Sequence, residues 1–133
     1  MSHENVELTR QALDAFNRRD LHALLALMDP DVEFAPYEVL VQGESSYRGH
    51  AGVRSWWEES LAVLPDLRSE TLQIRALGDR TFVSGRLYGT GAASGATFER
   101  ALWEAVEWRD GKIVWWSAFE SEAEALEAVG LSE

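Results

Sequence analysis

The chain has 133 residues, a formal net charge of −11, no cysteine, and hydrophobic and charged fractions (46% and 26%) typical of a soluble globular protein. This excludes disulfides, thiolate metal sites and cysteine nucleophiles. So acidic a surface, with no basic patch to offset it, also excludes nucleic acid as an expected partner. No apolar run is long enough to span a bilayer and no basic-then-apolar leader opens the chain, so a cytoplasmic protein of one domain, 1–133, is expected.

A first helix is predicted from Asn5 to Arg18, capped by Ser2, with Val6, Thr9, Leu13 and Phe16 on one face and Ala12 beside them. Asp20 is a suitable N-cap for a second helix carrying Leu21, Leu24, Leu25 and Met28, ended by Asp29-Pro30. Val32 to Tyr37 reads as a strand. An irregular stretch to Gly49 follows, with a short strand at Val39-Leu40-Val41. A third helix, from His50 to Leu64, buries Val53, Trp56, Trp57 and Leu61 and stops at Pro65. Leu67–Leu77, with Leu72, Ile74 and Ala76 on one side, and Thr81–Thr90 are strands joined at Gly78-Asp79.

Thr97 to Glu120 reads as a long hairpin about Asp110-Gly111, because a type I′ turn needs positive φ at both central residues. An uninterrupted register pairs Trp108 with Ile113, Val106 with Trp115, Glu104 with Ser117 and Leu102 with Phe119. Carried on to the preceding strand, it puts Val83 and Leu87 on the Glu104 face, and Phe82, Arg86 and Tyr88 on the other. Ser121 to Glu124 is a capping box for a last helix ending at Val129-Gly130. Helices early and an antiparallel meander late argue α+β, a twisted sheet forming a half-open cone with helices on one face.

Glu104 in the middle of an apolar face is the sharpest chemical feature. Desolvation makes such a carboxyl a proton donor or a poised base, whereas a structural glutamate would pair with Arg100 or Ser117. Phe16, Trp56, Trp57, Val83, Val106, Trp115, Ser117 and Phe119 are the expected lining of a ligand pocket, with one of the adjacent Trp56 and Trp57 facing it. Phe82, Tyr88, Trp103 and Trp116 form an expected apolar outer patch, read as a homodimer surface with coverage by the C-terminal segment as the alternative. His3, His22 and His50 are isolated, so no metal site is expected, and His50 reads as a capping or surface residue. Ser46, Ser60 and Ser117 have no histidine partner for a triad. Gly89-Thr90-Gly91 lies outside any strand-to-helix phosphate loop.

Several segments together resemble one family over almost the full length. They are Ala15-Phe16-Asn17-Arg18-Arg19-Asp20, Met28-Asp29-Pro30-Asp31-Val32-Glu33-Phe34, Tyr47-Arg48-Gly49-His50-Ala51-Gly52-Val53, Asp110-Gly111-Lys112-Ile113, and Glu124 to Leu131. The chain resembles the nuclear transport factor 2-like superfamily and, within it, SnoaL-like polyketide-cyclase domains. The resemblance implies an α+β roll of the cystatin-like kind, a curved sheet wrapped by helices with a pocket in the cone, and dimerisation through the convex face. Against the ketosteroid isomerases of that superfamily, the oxyanion-hole acid falls on Glu104. Their tyrosine falls on Ala12, and their base on Ala35 or Pro36. Against limonene-type epoxide hydrolases, only Glu104 is placed, with Arg100 as a nearby cation. The expectation is a protein that binds a small apolar or aromatic molecule without a cofactor. The alternatives are a cofactor-free isomerase, cyclase or dehydratase using Glu104 for proton transfer, and a dimerisation module with a filled cavity.

Overall fold

The computed structural model describes residues 2–36 and 46–128. In chain order its elements are α1 (Ser2–Asn17), α2 (Leu21–Ala26), β1 (Met28–Ala35), β2 (Tyr47–Arg48), α3 (Gly49–Val63), β3 (Arg68–Leu77), β4 (Arg80–Thr90), β5 (Thr97–Arg109), β6 (Lys112–Phe119) and α4 (Glu122–Ala128). The expected strand at Val39-Leu40-Val41 and the helix end at Val129-Gly130 lie outside the described residues. Asp20 caps α2 as expected, its carboxylate accepting from the Ala23 amide at 3.0 Å. Ser2 is the first residue of α1 rather than its cap, and Met28 opens β1 instead of closing α2.

Six strands form one sheet in the order β2-β1-β6-β5-β4-β3. β3 to β6 make the antiparallel meander, while β1 runs parallel to β6 and so brings the early half of the chain against the late half. Asp110 (φ 54°) and Gly111 (φ 77°) both have the left-handed backbone of a type I′ turn. Ser121 accepts from the Glu124 amide at 3.2 Å and starts α4.

Two one-residue bulges break the straight strand pattern. In β3 the register shifts between Thr71 and Gln73, leaving Leu72 66% exposed instead of aligned with Ile74 and Ala76. In β6, Ile113 faces Trp108, but the next pair is Trp115 with Glu107, so Val114 is the extra residue. Beyond it the side chains of β6 exchange faces. Trp116 lies opposite Val106 and Ala118 opposite Glu104, on the concave side; Trp115, Ser117 and Phe119 go to the convex side, opposite Glu107, Ala105 and Trp103. On β4 the expected faces hold, with Val83 opposite Glu104 and Phe82 opposite Ala105.

The main core fills the concave side, where Thr9, Ala12, Leu13 and Phe16 of α1 and Val53 and Trp56 of α3 are buried against the sheet. A buried polar knot closes its narrow end. Thr9 donates to the Asn5 carbonyl at 2.7 Å, so its lone pairs are left to accept from the Thr81 hydroxyl (2.8 Å) and the Trp108 indole N–H (3.1 Å). All three side chains are thereby satisfied inside the core. A smaller cluster lies on the convex side, where Ala125 and Leu126 of α4 pack on Phe82, with Trp103 and Phe119 at its edge. Arg80 holds the end of this helix, donating to the Ala128 carbonyl at 3.1 Å. The convex face is therefore partly covered by the chain's own last helix. Of the four residues expected to form an outer patch, Phe82 is 1% exposed and Trp116 faces inward, which leaves Tyr88 and Trp103 half-buried at the surface.

Candidate functional site

The concave side holds a partly open cavity of about 50 Å³ as seen by the centre of a water molecule. Widened by the ~1.4 Å radius of that molecule, this is a hollow roughly 7 Å across, room for a few waters or one compact organic group. Every layer contributes to its wall: Leu13 and Phe16 of α1, Leu24 of α2, Phe34 of β1 and Trp56 of α3 from one side. Ser69, Leu87, Leu102, Glu104 and Trp116 close it from the sheet. Among the described lining residues, Ser69 and Glu104 supply the polar side chains, apart from the indole N–H of Trp116.

Glu104 is 8% exposed and sits between Val83 and Ala118 on the neighbouring strands. The Trp116 indole donates to its Oε2 at 3.0 Å. That partner replaces both of those expected. Ser117 lies on the opposite face of the sheet, and Arg100 is an exposed residue that donates to the Glu99 carbonyl and stacks 5.4 Å from the Phe98 ring. The bulge at Val114 is the physical reason, since it turns Trp116 to the carboxylate and Ser117 away.

An aromatic series leads from the α1 wall to that carboxylate. Phe16 and Trp56 have ring centroids 5.6 Å apart, Trp56 and Phe34 meet edge-to-face at 4.8 Å, and Phe34 meets Trp116 at 5.6 Å. Trp56, not Trp57, faces the cavity. Trp57 is half-buried and contacts Phe16 edge-on at 5.7 Å without joining the lining. Val83 and Val106 lie on the concave face, as expected, but are packed into solid core at 2% and 1% exposure rather than on the cavity wall. Trp115, Ser117 and Phe119 are turned to the convex side and do not contribute. His50 is half-buried against β1, its Nε2 2.9 Å from the Met28 carbonyl, and is likewise not among the lining residues.

Two polar ties that sequence reasoning missed fix the wall. Asn17 makes a two-way clamp with the Ser69 backbone, donating to its carbonyl (2.8 Å) and accepting from its amide (3.0 Å). Arg19, with φ 63°, folds back over the Phe16 ring and donates to the carbonyls of Phe16, Pro65 and Leu67, so α1 is locked to the start of β3. Burial pulls its guanidinium below the ordinary arginine range, against the opposing attraction of Asp66. The Asp66 carboxyl is itself held below its ordinary value, chiefly by the Thr90 amide that donates to it at 2.7 Å. The available signal was the polar run Asn17-Arg18-Arg19-Asp20 directly after an apolar helix face. Among the described residues no cluster of three or more His, Asp or Glu side chains is placed to hold a metal ion, and no helix is long and apolar enough to cross a membrane.

A curved sheet over helices with a small, mostly apolar hollow defines an α+β roll of the nuclear transport factor 2-like kind. The SnoaL-like domain model matches residues 9–116, and the chain belongs to that family. Among curated proteins none matches the sequence significantly. Solved structures do. TerC co-crystallised with polyporic acid superposes with a TM-score of 0.77 at 25% identity, over 94% of this chain and 97% of that one. A SnoaL-like protein of unknown function from Burkholderia thailandensis is 28% identical, with a TM-score of 0.68 over 86% of this chain and 92% of its own. A protein with a ketosteroid isomerase-like fold from Catenulispora acidiphila, in complex with trimethylamine, is similar in fold, with a TM-score of 0.76 at 15% identity over 94% and 93% of the two chains.

Proposed function

We propose that this chain binds a small, mostly apolar or aromatic molecule in its cone, with Glu104 as the polar anchor and Phe16, Phe34, Trp56 and Trp116 as walls. The observation that carries this reading is a largely apolar hollow with one buried carboxylate on its wall, held by an indole N–H at 3.0 Å. A core that needed only stability would gain more from an apolar side chain there, because taking a carboxylate out of water is costly. Relatives have been crystallised with molecules as different as polyporic acid and trimethylamine, so the fold leaves the ligand open and the lining must decide it.

Thermal unfolding against a panel of compact apolar and aromatic compounds tests the proposal. A ligand at about a hundred times its dissociation constant stabilises the fold by roughly 2.7 kcal/mol. A shift of that kind that disappears in Glu104→Leu supports the cavity as the site; a flat response across the panel refutes it.

A second reading makes Glu104 a proton-transfer group in a cofactor-free isomerisation, cyclisation or dehydration. It is favoured by one observation, the position of the carboxylate on the cavity wall. It ranks behind binding because the positions matching the isomerases' tyrosine and base are Ala12 and Ala35 or Pro36, which carry no proton-transfer group. We also propose a homodimer, formed through the uncovered part of the convex face around Tyr88 and Trp103, which are half-buried there. Sedimentation of Trp103→Arg tests it, with dissociation to monomers as the expected result.

A further inference from the structure

The lining also specifies the charge of the ligand, a step that rests on the binding role proposed above. Trp56, Phe34 and Trp116 form an unbroken aromatic run with centroid spacings of 4.8 and 5.6 Å, and it ends at the Glu104 carboxylate. Aromatic faces carry negative electrostatic potential, and a carboxylate is a full negative charge. Both attract a cation, and neither attracts an anion. The Trp116 N–H on Oε2 fixes the carboxyl group at the end of that run. A net charge of −11 also raises the concentration of cations near the chain and lowers that of anions.

Size narrows the class further. A hollow roughly 7 Å across suits a compact tetrahedral group. We infer that the cavity receives a small alkylated ammonium group, with Glu104 as its counter-charge and Trp56, Phe34 and Trp116 as its cage. Phe16 contributes least to the cage, since the Arg19 guanidinium already stacks 5.0 Å from its ring centroid. A neutral molecule of the same shape gains the apolar contacts and, if it carries a hydroxyl, one hydrogen bond to the carboxylate, but neither the charge pairing nor the attraction of the ring faces.

Calorimetric titration with tetramethylammonium chloride and with tert-butanol separates the two, because they share a tetrahedral shape and differ in charge. Sodium chloride keeps the ionic strength equal in every cell. The expected result is saturable binding of the cation, at least about tenfold tighter than tert-butanol. Glu104→Gln keeps the side-chain size and an acceptor for Trp116, and it should weaken the cation by at least about thirtyfold while leaving tert-butanol within about threefold. Phe34→Leu keeps an apolar wall and should weaken the cation several-fold, which reads the cage independently of Glu104. If tert-butanol or neutral aromatic compounds bind as tightly as the cation, or cation binding is indifferent to Glu104→Gln, the cation assignment is overturned and the binding cavity stands. If the cation and the whole neutral panel fail to bind, both are overturned.

Discussion

Replacing Trp116 by Phe tests the central geometric claim, that a single extra residue in β6 delivers this indole to Glu104. The substitution keeps an aromatic ring on the cavity wall and deletes the N–H donating to Oε2 at 3.0 Å. A hydrogen bond to a charged group contributes about 1.5–3 kcal/mol, and the lost part of the buried indole adds on the order of 1 kcal/mol. Trp116→Phe is therefore expected to cost about 2.5–4 kcal/mol. Trp115→Phe is the internal control. Trp115 is half-buried on the convex face, 5.8 Å from the Arg80 guanidinium, a contact worth about 0.5–1 kcal/mol.

The measurement is urea unfolding followed by far-ultraviolet circular dichroism, with the slope of the transition checked for constancy. Adding Glu104→Leu and the double variant completes a mutant cycle, in which the Trp116–Glu104 coupling should come out near 1.5–3 kcal/mol. Coupling below about 0.5 kcal/mol would mean that the hydrogen bond contributes nothing. If Trp115→Phe costs as much as Trp116→Phe, the β6 bulge is wrong and the straight register returns.

Three other perturbations probe separate parts of the fold. Gly85→Ala places a Cβ well inside contact distance of the Glu70 backbone carbonyl beside the β3 bulge, and backbone cannot swing aside as a side chain can; a loss of about 3 kcal/mol or more in urea unfolding is expected. Thr9→Val removes the acceptor shared by Thr81 and Trp108, so the same assay should report about 1–3 kcal/mol of destabilisation, and a neutral result would show that the knot contributes nothing. Asp66 is held below its ordinary value near 3.8 by the Thr90 amide. A group depressed on folding stabilises the fold above its unfolded pKa and loses that contribution as pH falls through the folded value. Asp66→Asn, which keeps an acceptor for Thr90 but not the charge, should therefore lower stability at neutral pH and flatten the acid limb of a stability–pH curve, the two proteins converging as pH falls. An unchanged acid limb would contradict the assignment.

What the sequence made legible is local. The Asp110-Gly111 turn, the Asp20 cap and the Ser121 box are each set by a few adjacent residues, so φ preferences and short hydrogen bonds decide them without reference to the rest of the chain. The buried face of α1 is legible for the same reason, because 3.6-residue periodicity leaves one placement for Thr9, Leu13 and Phe16. The parallel pairing of β1 with β6 joins residues some eighty positions apart, and no local preference encodes it. The bulge at Val114 is hidden differently. Ile113-Val114-Trp115-Trp116 is apolar throughout, so a slip by one residue exchanges one large apolar group for another and the alternation that usually fixes register is silent.

The two failures at the candidate site are one failure seen from both sides of the sheet. With a straight β6, Phe119 points into the cone and the convex face reads as uncovered, which invites a partner subunit. With the bulge, Phe119 joins Phe82 and Trp103 as a seat for Ala125 and Leu126 of α4. The amphipathic last helix was the available clue, since it needs an apolar surface to bury that face and the straight register takes Phe119 away from it. The same inserted residue that supplies this seat turns Trp116 inward. Without it Ser117 would stand opposite Glu104 where the structure puts Ala118, and Trp115 opposite Val106 where the structure puts Trp116, the indole that both donates to Glu104 and walls the cavity. Thus the seat of α4 and the anchoring of Glu104 depend on a single backbone irregularity. Deleting Val114 should disturb the helix on the convex face and the cavity on the concave face together.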